Sequence, residues 1–153
     1  MNGEKARNKA EIAVVGFSDA ERPRWLCLLA KGFRHCFALV RVSGRWVMIN
    51  PMSHWTDVAI LAEAADGATA AEMVRTLEAR GLAAVACAIA EPSRRSGPPA
   101  PFTCVEVVKR ILGIREPLVL TPRQLFRFLV ENQSIEKNHT KMKISLDKGI
   151  RTY

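Results

Sequence analysis

Apolar and polar positions follow two different periods along the chain, and the change of period separates strands from helices. The predicted strands are short apolar runs bounded by turn-forming residues. The pair Ser43-Gly44 has the length and composition of a two-residue hairpin turn, so Val42 is expected to face Arg45. The predicted extended segments are 11–17, 33–42, 45–50, 55–61 and 82–90.

Helical spacing of apolar residues marks the remaining regular segments. A first helix is predicted from Pro23 to Gly32, because proline suits the first turn and glycine the position just past the end. Three further helices are each opened by a threonine followed three residues later by Glu or Gln, which is a capping box. These boxes are Thr69–Glu72, Thr103–Glu106 and Thr121–Gln124.

Together these elements predict an α+β domain with a small antiparallel sheet and helices packed on its faces. We expect a mobile arm over residues 1–10, one domain over 11–132, and a basic tail over 133–153. Within the tail, Met142, Ile144 and Leu146 alternate with polar residues, which predicts a strand with one apolar face.

The net charge is +8, and the densest uncompensated basic run lies in the tail. Such a charge suits an anionic or acidic partner, although solubility alone is the simpler explanation. No helix-turn-helix, zinc or aromatic-basic motif accompanies the charge, so nucleic acid is not expected as a partner. We instead expect a protein partner that binds the tail.

No apolar stretch has the length needed to span a bilayer, and residues 1–10 lack the apolar core of a secretory signal. The chain is therefore expected to fold in a reducing cytosol, with later virion association left open. The four cysteines form no C-x-x-C pair and have no histidine at zinc-finger spacing. We predict no metal site, no cofactor and no disulfide framework.

Cys104 stands out among the four cysteines, because a capping Thr103 makes it the first residue of a helix. A thiol there faces unpaired backbone N–H groups and the positive end of the helix dipole, and both favour the thiolate. The other cysteines lie inside apolar patterns, where a thiol stays protonated.

A cysteine nucleophile needs a base, and His35 lies in the first strand of the predicted hairpin. The hairpin register puts Asn50 diagonally next to His35 on the same face. Asn50 can then accept from the far ring nitrogen, and His54 is the alternative third residue. Strand alternation turns Cys36 to the opposite face, so the Cys104 helix is expected on the His35 face and Cys36 is not expected in the site.

A histidine on one strand, a polar residue on the next, and later a cysteine opening a helix resembles the permuted branch of the NlpC-type, papain-like cysteine peptidases, which includes relatives of lecithin:retinol acyltransferase. The chain is also similar to small proteins from phage and prophage tail regions. The segments that carry the resemblance are Trp25-Leu26, Gly32–Cys36, Phe102–Lys109 and Thr121–Leu125.

The resemblance implies a permuted papain-like fold and a cysteine hydrolase in which Cys104 is the nucleophile, His35 the base and Asn50 the third residue. It also implies a cell-wall peptide as the first choice of substrate and a lipid acyl ester as the second. The main rival is a non-enzymatic assembly component of a phage-like particle that keeps the fold.

Overall fold

A computed structural model describes residues 12–19, 28–62, 67–90 and 101–133 of the chain. The predicted N-terminal arm, the start of the helix expected from Pro23, the Pro-rich loop over 91–100 and nearly all of the basic tail lie outside the described residues. The strands are β1 Ile12–Ser18, β2 His35–Val42, β3 Arg45–Pro51, β4 Thr56–Ile60 and β5 Ala83–Ala88. The helices are α1 Ala70–Glu78, α2 Cys104–Leu112 and α3 over 122–133.

The five strands form one antiparallel sheet in the order β4-β3-β2-β1-β5. Its central hairpin has the predicted register, since Val42 pairs with Arg45. Both turn residues have positive φ angles, 51° at Ser43 and 83° at Gly44, which gives the turn a twist that matches the flanking strands. The predicted α+β class with a small antiparallel sheet is confirmed.

The sheet separates two apolar cores. On one face, α2 and α3 cover β1, β2 and β5, and alternate residues of β2 from Cys36 to Val40 point into this core. On the other face, α1 packs on Val14, Leu39 and Trp46. The helix that begins at Cys104, α2, does pack on one face of the sheet, but it is the Cys36 face, so the expectation that it lies on the His35 face is wrong.

Three aromatic rings fix the chain just before β2. Phe33, Phe17 of β1 and Phe126 of α3 lie with ring centroids 5.0 to 5.6 Å apart. Edge and tilted ring contacts of this kind add to the stabilisation that burial alone gives. The cluster holds the entry to His35, two residues further on, against the helical layer.

The link between α2 and α3 is held by a buried lysine. The Lys109 ammonium donates to the carbonyl oxygens of Glu116 at 2.9 Å and Val119 at 3.1 Å, and it pairs with the Glu106 carboxylate at 3.0 Å. A buried charge is tolerated only with such partners. Lys109 therefore ties α2 to the segment that connects it to α3.

Two of the three predicted capping boxes form completely, at Thr69–Glu72 and Thr121–Gln124. At α2 the Thr103 hydroxyl accepts from the Glu106 N–H, but the Glu106 carboxylate turns to Lys109 and Arg110 instead. Among the described residues, no helix has the length and apolar character needed to cross a membrane.

Candidate active site

The first residues of β2 and α2 lie at the same end of the sheet. Thr103, with extended φ −121° and ψ 160°, is the N-cap of α2, and Cys104 is its first helical residue. His35 is the first residue of β2 and pairs with Ser18, the last of β1. Two element ends thus bring a thiol and an imidazole to one place.

The His35 ring is held by the neighbouring strand. Its Nε2 lies 2.6 Å from Oδ1 of Asn50 on β3. A carboxamide oxygen only accepts, so Nε2 carries a hydrogen and Nδ1 is the nitrogen that remains for another partner. His35 and Asn50 are therefore neighbours in the structure, as the hairpin register predicts.

The partner on the other side of the ring is the Cys104 side chain, which forms a hydrogen bond with the imidazole. The thiol of Cys104 is partly buried against the core beneath α2. The structure therefore brings Cys104, His35 and Asn50 together in the order sulfur, ring, amide.

A fourth group belongs to this site, contrary to the sequence-based expectation. The side chain of Cys36 and its backbone N–H both form hydrogen bonds with the Cys104 sulfur. Strand alternation does turn Cys36 away from His35. However, α2 packs on that opposite face, so the start of the helix meets both consecutive residues of β2 at the end of the sheet.

The surroundings of Cys104 favour its thiolate. Hydrogen bonding from the Cys36 thiol is the largest cause, burial opposes it, and the hydrogen bonds from His35 and from the Cys36 backbone add to it, so that the pKa of Cys104 falls to about 4. The same hydrogen bond and burial raise the pKa of the Cys36 thiol well above its ordinary range. One sulfur is thus the acceptor and the other the donor.

The imidazole responds in the opposite direction. Burial acts to lower the pKa of His35, but hydrogen bonds to Cys104 and Asn50, with the negative charge on Cys104, outweigh it and raise that pKa above 6.5. Both directions favour a thiolate beside an imidazolium, which is the reactive state of a cysteine–histidine couple.

The carboxylate in the first turn of α2 is paired with two cations of the same helix. Glu106 lies in the first turn of α2, and its carboxylate is bound by Lys109 and Arg110, each at 3.0 Å. These cations lower the pKa of Glu106, against the opposing effect of its partial burial. Its negative charge is balanced locally rather than left facing the thiolate.

The structure gives His54, the alternative third residue, no contact with the described site. His54 lies in the exposed turn between β3 and β4, where the Met52 N–H donates to the Trp55 carbonyl oxygen at 2.8 Å. His139 lies outside the described residues. Of the two alternatives for the third residue, it is Asn50 that contacts His35.

Comparisons with protein-family models, with curated proteins and with solved structures give no match to this chain. Among the described residues, no group of three or more His, Cys, Asp or Glu side chains is arranged to hold a metal ion. The chemistry of the site therefore follows from the side chains that form it.

Proposed function

We propose that the protein is a cysteine hydrolase in which Cys104 is the nucleophile, His35 the general acid and base, and Asn50 the residue that orients the imidazole. The observation that carries this proposal is one continuous set of contacts: the Cys104 sulfur to the His35 ring, and the ring Nε2 to Asn50 Oδ1 at 2.6 Å. A nucleophile, a base and an orienting group in this sequence are the parts that acyl transfer requires.

In the first half-reaction the thiolate attacks the carbonyl carbon of an amide or ester. The carbon–sulfur bond forms while the carbonyl electron pair moves to the oxygen, and the free N–H groups at the start of α2 are suited to hold that oxyanion. The His35 imidazolium then gives its proton to the leaving amine or alcohol as the carbonyl bond to it breaks. A thioester on Cys104 and a neutral imidazole remain.

In the second half-reaction the neutral His35 takes a proton from water, and the resulting hydroxide attacks the thioester carbon. The carbon–sulfur bond breaks, the acid leaves, and the thiolate and imidazolium are restored. Asn50 accepts from Nε2–H throughout, so the other ring nitrogen keeps facing the sulfur and the substrate.

We further propose that the fold is a permuted papain-like one. Support comes from the chain order of the parts: histidine at the start of β2, asparagine on the next strand, and the cysteine later, at the start of a helix packed on an antiparallel sheet. In the unpermuted order the cysteine comes first.

The substrate proposed first is a cell-wall peptide amide, with a lipid acyl ester second, and association with a phage-like particle is part of the same proposal. To test it, the full chain is incubated with peptidoglycan stem peptides, with a short-chain phospholipid and with an activated ester. Release of amine or acid by the unaltered chain, with none from Cys104→Ala or His35→Ala, is the expected result.

The matched control is Cys87→Ala, which removes another partly buried thiol from the same core. It is expected to keep full activity. An acyl group found on Cys104 by peptide mass spectrometry would identify the intermediate directly. Hydrolysis that survives in Cys104→Ala would contradict the proposal.

A second candidate is a non-enzymatic assembly component. The observation that favours it is the apolar outer strand β4, where Val58 and Ile60 are 61% and 62% exposed, with Trp55 just before it at 60%. Exposed apolar patches of this kind commonly mark protein contacts. Absence of turnover on every substrate, together with co-sedimentation on a particle, would favour this candidate.

A further inference from the structure

Cys36 has no role in the proposed two-step reaction, yet it belongs to the core against which the proposed nucleophile Cys104 packs. Its side chain is 0% exposed and belongs to the core that α2 covers. Its thiol and its backbone N–H both reach the sulfur of Cys104. Because Cys36 follows His35 directly in β2, two consecutive residues at one strand end interact with the same sulfur.

We propose that Cys36 is a positioning residue for Cys104: its buried thiol and its backbone N–H donate to the Cys104 sulfur and hold it, as thiolate, in line with the His35 ring. The inference extends the proposed hydrolase, on which its functional meaning rests. A thiolate has several lone pairs and no preferred direction of its own, so two fixed donors on one side leave the remaining side free for substrate. Cys36 itself cannot attack, since substrate does not reach it.

The direction of the sulfur–sulfur hydrogen bond follows from what surrounds each thiol. Cys104 lies at the positive end of α2 and beside the imidazole, and both stabilise a negative charge. Cys36 is enclosed by apolar side chains such as Ala38 and Val105, where a negative charge is costly. The proton therefore stays on Cys36, and Cys36 is the donor.

The titratable groups that act on the Cys104 sulfur are few, which makes the inference testable by titration. From β2 they are His35 and Cys36. On α2 itself, the Glu106 carboxylate is paired with Lys109 and Arg110. Asn50 on β3 acts only through the imidazole. Removing the Cys36 thiol should change the Cys104 titration without altering the other contacts.

The experiment measures the rate of Cys104 alkylation by iodoacetamide against pH in the full chain, with each cysteine quantified by peptide mass spectrometry. Cys36→Ala and Cys36→Val both remove the thiol donor and keep the backbone N–H. Valine also fills the space and suits a strand, so at least one of the two variants is expected to stay folded. In either variant the midpoint of the Cys104 profile should rise by about one to two pH units, as expected for losing one hydrogen bond to a charged group.

Cys36→Ser restores a donor and should return the midpoint at least halfway to that of the unaltered chain. Cys87→Ala is the control for loss of a core thiol and should leave the midpoint unchanged while lowering the melting temperature comparably. A midpoint unmoved in a folded variant that lacks the Cys36 thiol overturns the inference. The labelling rate is measured without turnover, so the two proposals can fail separately. A shifted midpoint in a chain that hydrolyses no substrate would support the role of Cys36 and reject the hydrolase. Hydrolytic activity with an unmoved midpoint would support the hydrolase and reject the role of Cys36.

Discussion

The charge states of Cys104 and His35 depend on each other. The imidazole and the Cys36 donors lower the pKa of the thiol to about 4, and the thiolate in turn raises the pKa of the imidazole above 6.5. Between these two values both groups are charged. The reactive ion pair is therefore the dominant form in mildly acidic solution, where an ordinary thiol is almost entirely protonated.

This state predicts selective alkylation. At about pH 6, iodoacetamide should label Cys104 well ahead of Cys27, Cys36 and Cys87, because only a thiolate reacts rapidly. Cys36 should react last, since burial and its hydrogen bond to Cys104 raise its pKa. Peptide mass spectrometry over a time course measures the order. Equal labelling of all four cysteines, or of Cys36 first, would show that the thiolate is not on Cys104.

Replacing Asn50 is predicted to affect the His35 imidazole rather than the thiol. Asn50→Ala removes an acceptor that raises the pKa of His35, so the alkaline limit of the imidazolium form should move to lower pH. The ring also loses its fixed orientation, and kcat on an activated ester should fall on the order of 10- to 100-fold with little change in KM.

His54→Ala is the control for this prediction, because His54 was the other candidate for the third residue and lies in an exposed turn. Its kcat and its pH profile should match those of the unaltered chain. A larger loss in His54→Ala than in Asn50→Ala would transfer the orienting role to His54.

At the scale of elements, the starts of α1 and α2 share a cap but differ in the residue that follows it. Both helices have a threonine N-cap whose hydroxyl accepts from the N3 backbone N–H, at 3.3 Å in α1 and 3.2 Å in α2. Only in α2 is the capped first residue a cysteine, Cys104, which we propose as the nucleophile. The caps on Thr69 and Thr103 are thus a natural pair for separating stability from reactivity.

Thr103→Ala and Thr69→Ala should each lower the free energy of unfolding by about 1 kcal/mol, the usual cost of losing an N-cap. Only Thr103→Ala should also slow alkylation of Cys104, because fraying of the first turn weakens the field at the sulfur and loosens its contacts with β2. Urea unfolding and labelling at about pH 6 measure the two effects. Slower labelling in both variants would mean that overall stability, not the local cap, governs reactivity.

The sequence allows prediction of the elements and of one half of the site, for identifiable reasons. The Ser43-Gly44 turn fixes the register of β2 and β3, and from that register the closeness of His35 and Asn50 follows. The role of Cys36 could not be predicted in the same way. Both faces of β2 are apolar, so periodicity does not say which of them α2 covers, and that choice decides whether Cys36 meets Cys104.

At the scale of the whole molecule, the described sheet has two edge strands, β4 and β5. In the described part of the chain, β4 and β5 each pair with one neighbour only. β5 contributes alternate residues to both cores, whereas the side chains of Val58 and Ile60 on β4 are mostly exposed. An outer strand of this kind is a ready acceptor for an added strand.

The basic tail supplies a segment with the corresponding pattern, and truncation after Asn132 tests what it does. The shortened chain keeps Leu125 and Leu129, the buried anchors of α3, and should fold with nearly the same melting temperature and the same Cys104 labelling rate. If the tail binds a partner particle or subunit, as we propose, the shortened chain should lose that binding, because a lone terminal strand is stable only when it adds to a sheet.

Two full-length variants separate the apolar face of the tail from its charge. Replacing Met142, Ile144 and Leu146 by serine keeps every charge, while replacing Lys137, Lys141 and Lys143 by serine keeps the apolar alternation. Strand addition predicts that the first variant loses association, measured by analytical ultracentrifugation with the partner, at any salt concentration. The second should lose only the part that salt screens. If the truncated chain instead unfolds, the tail strand belongs to the domain's own sheet, and its role as an attachment arm is excluded.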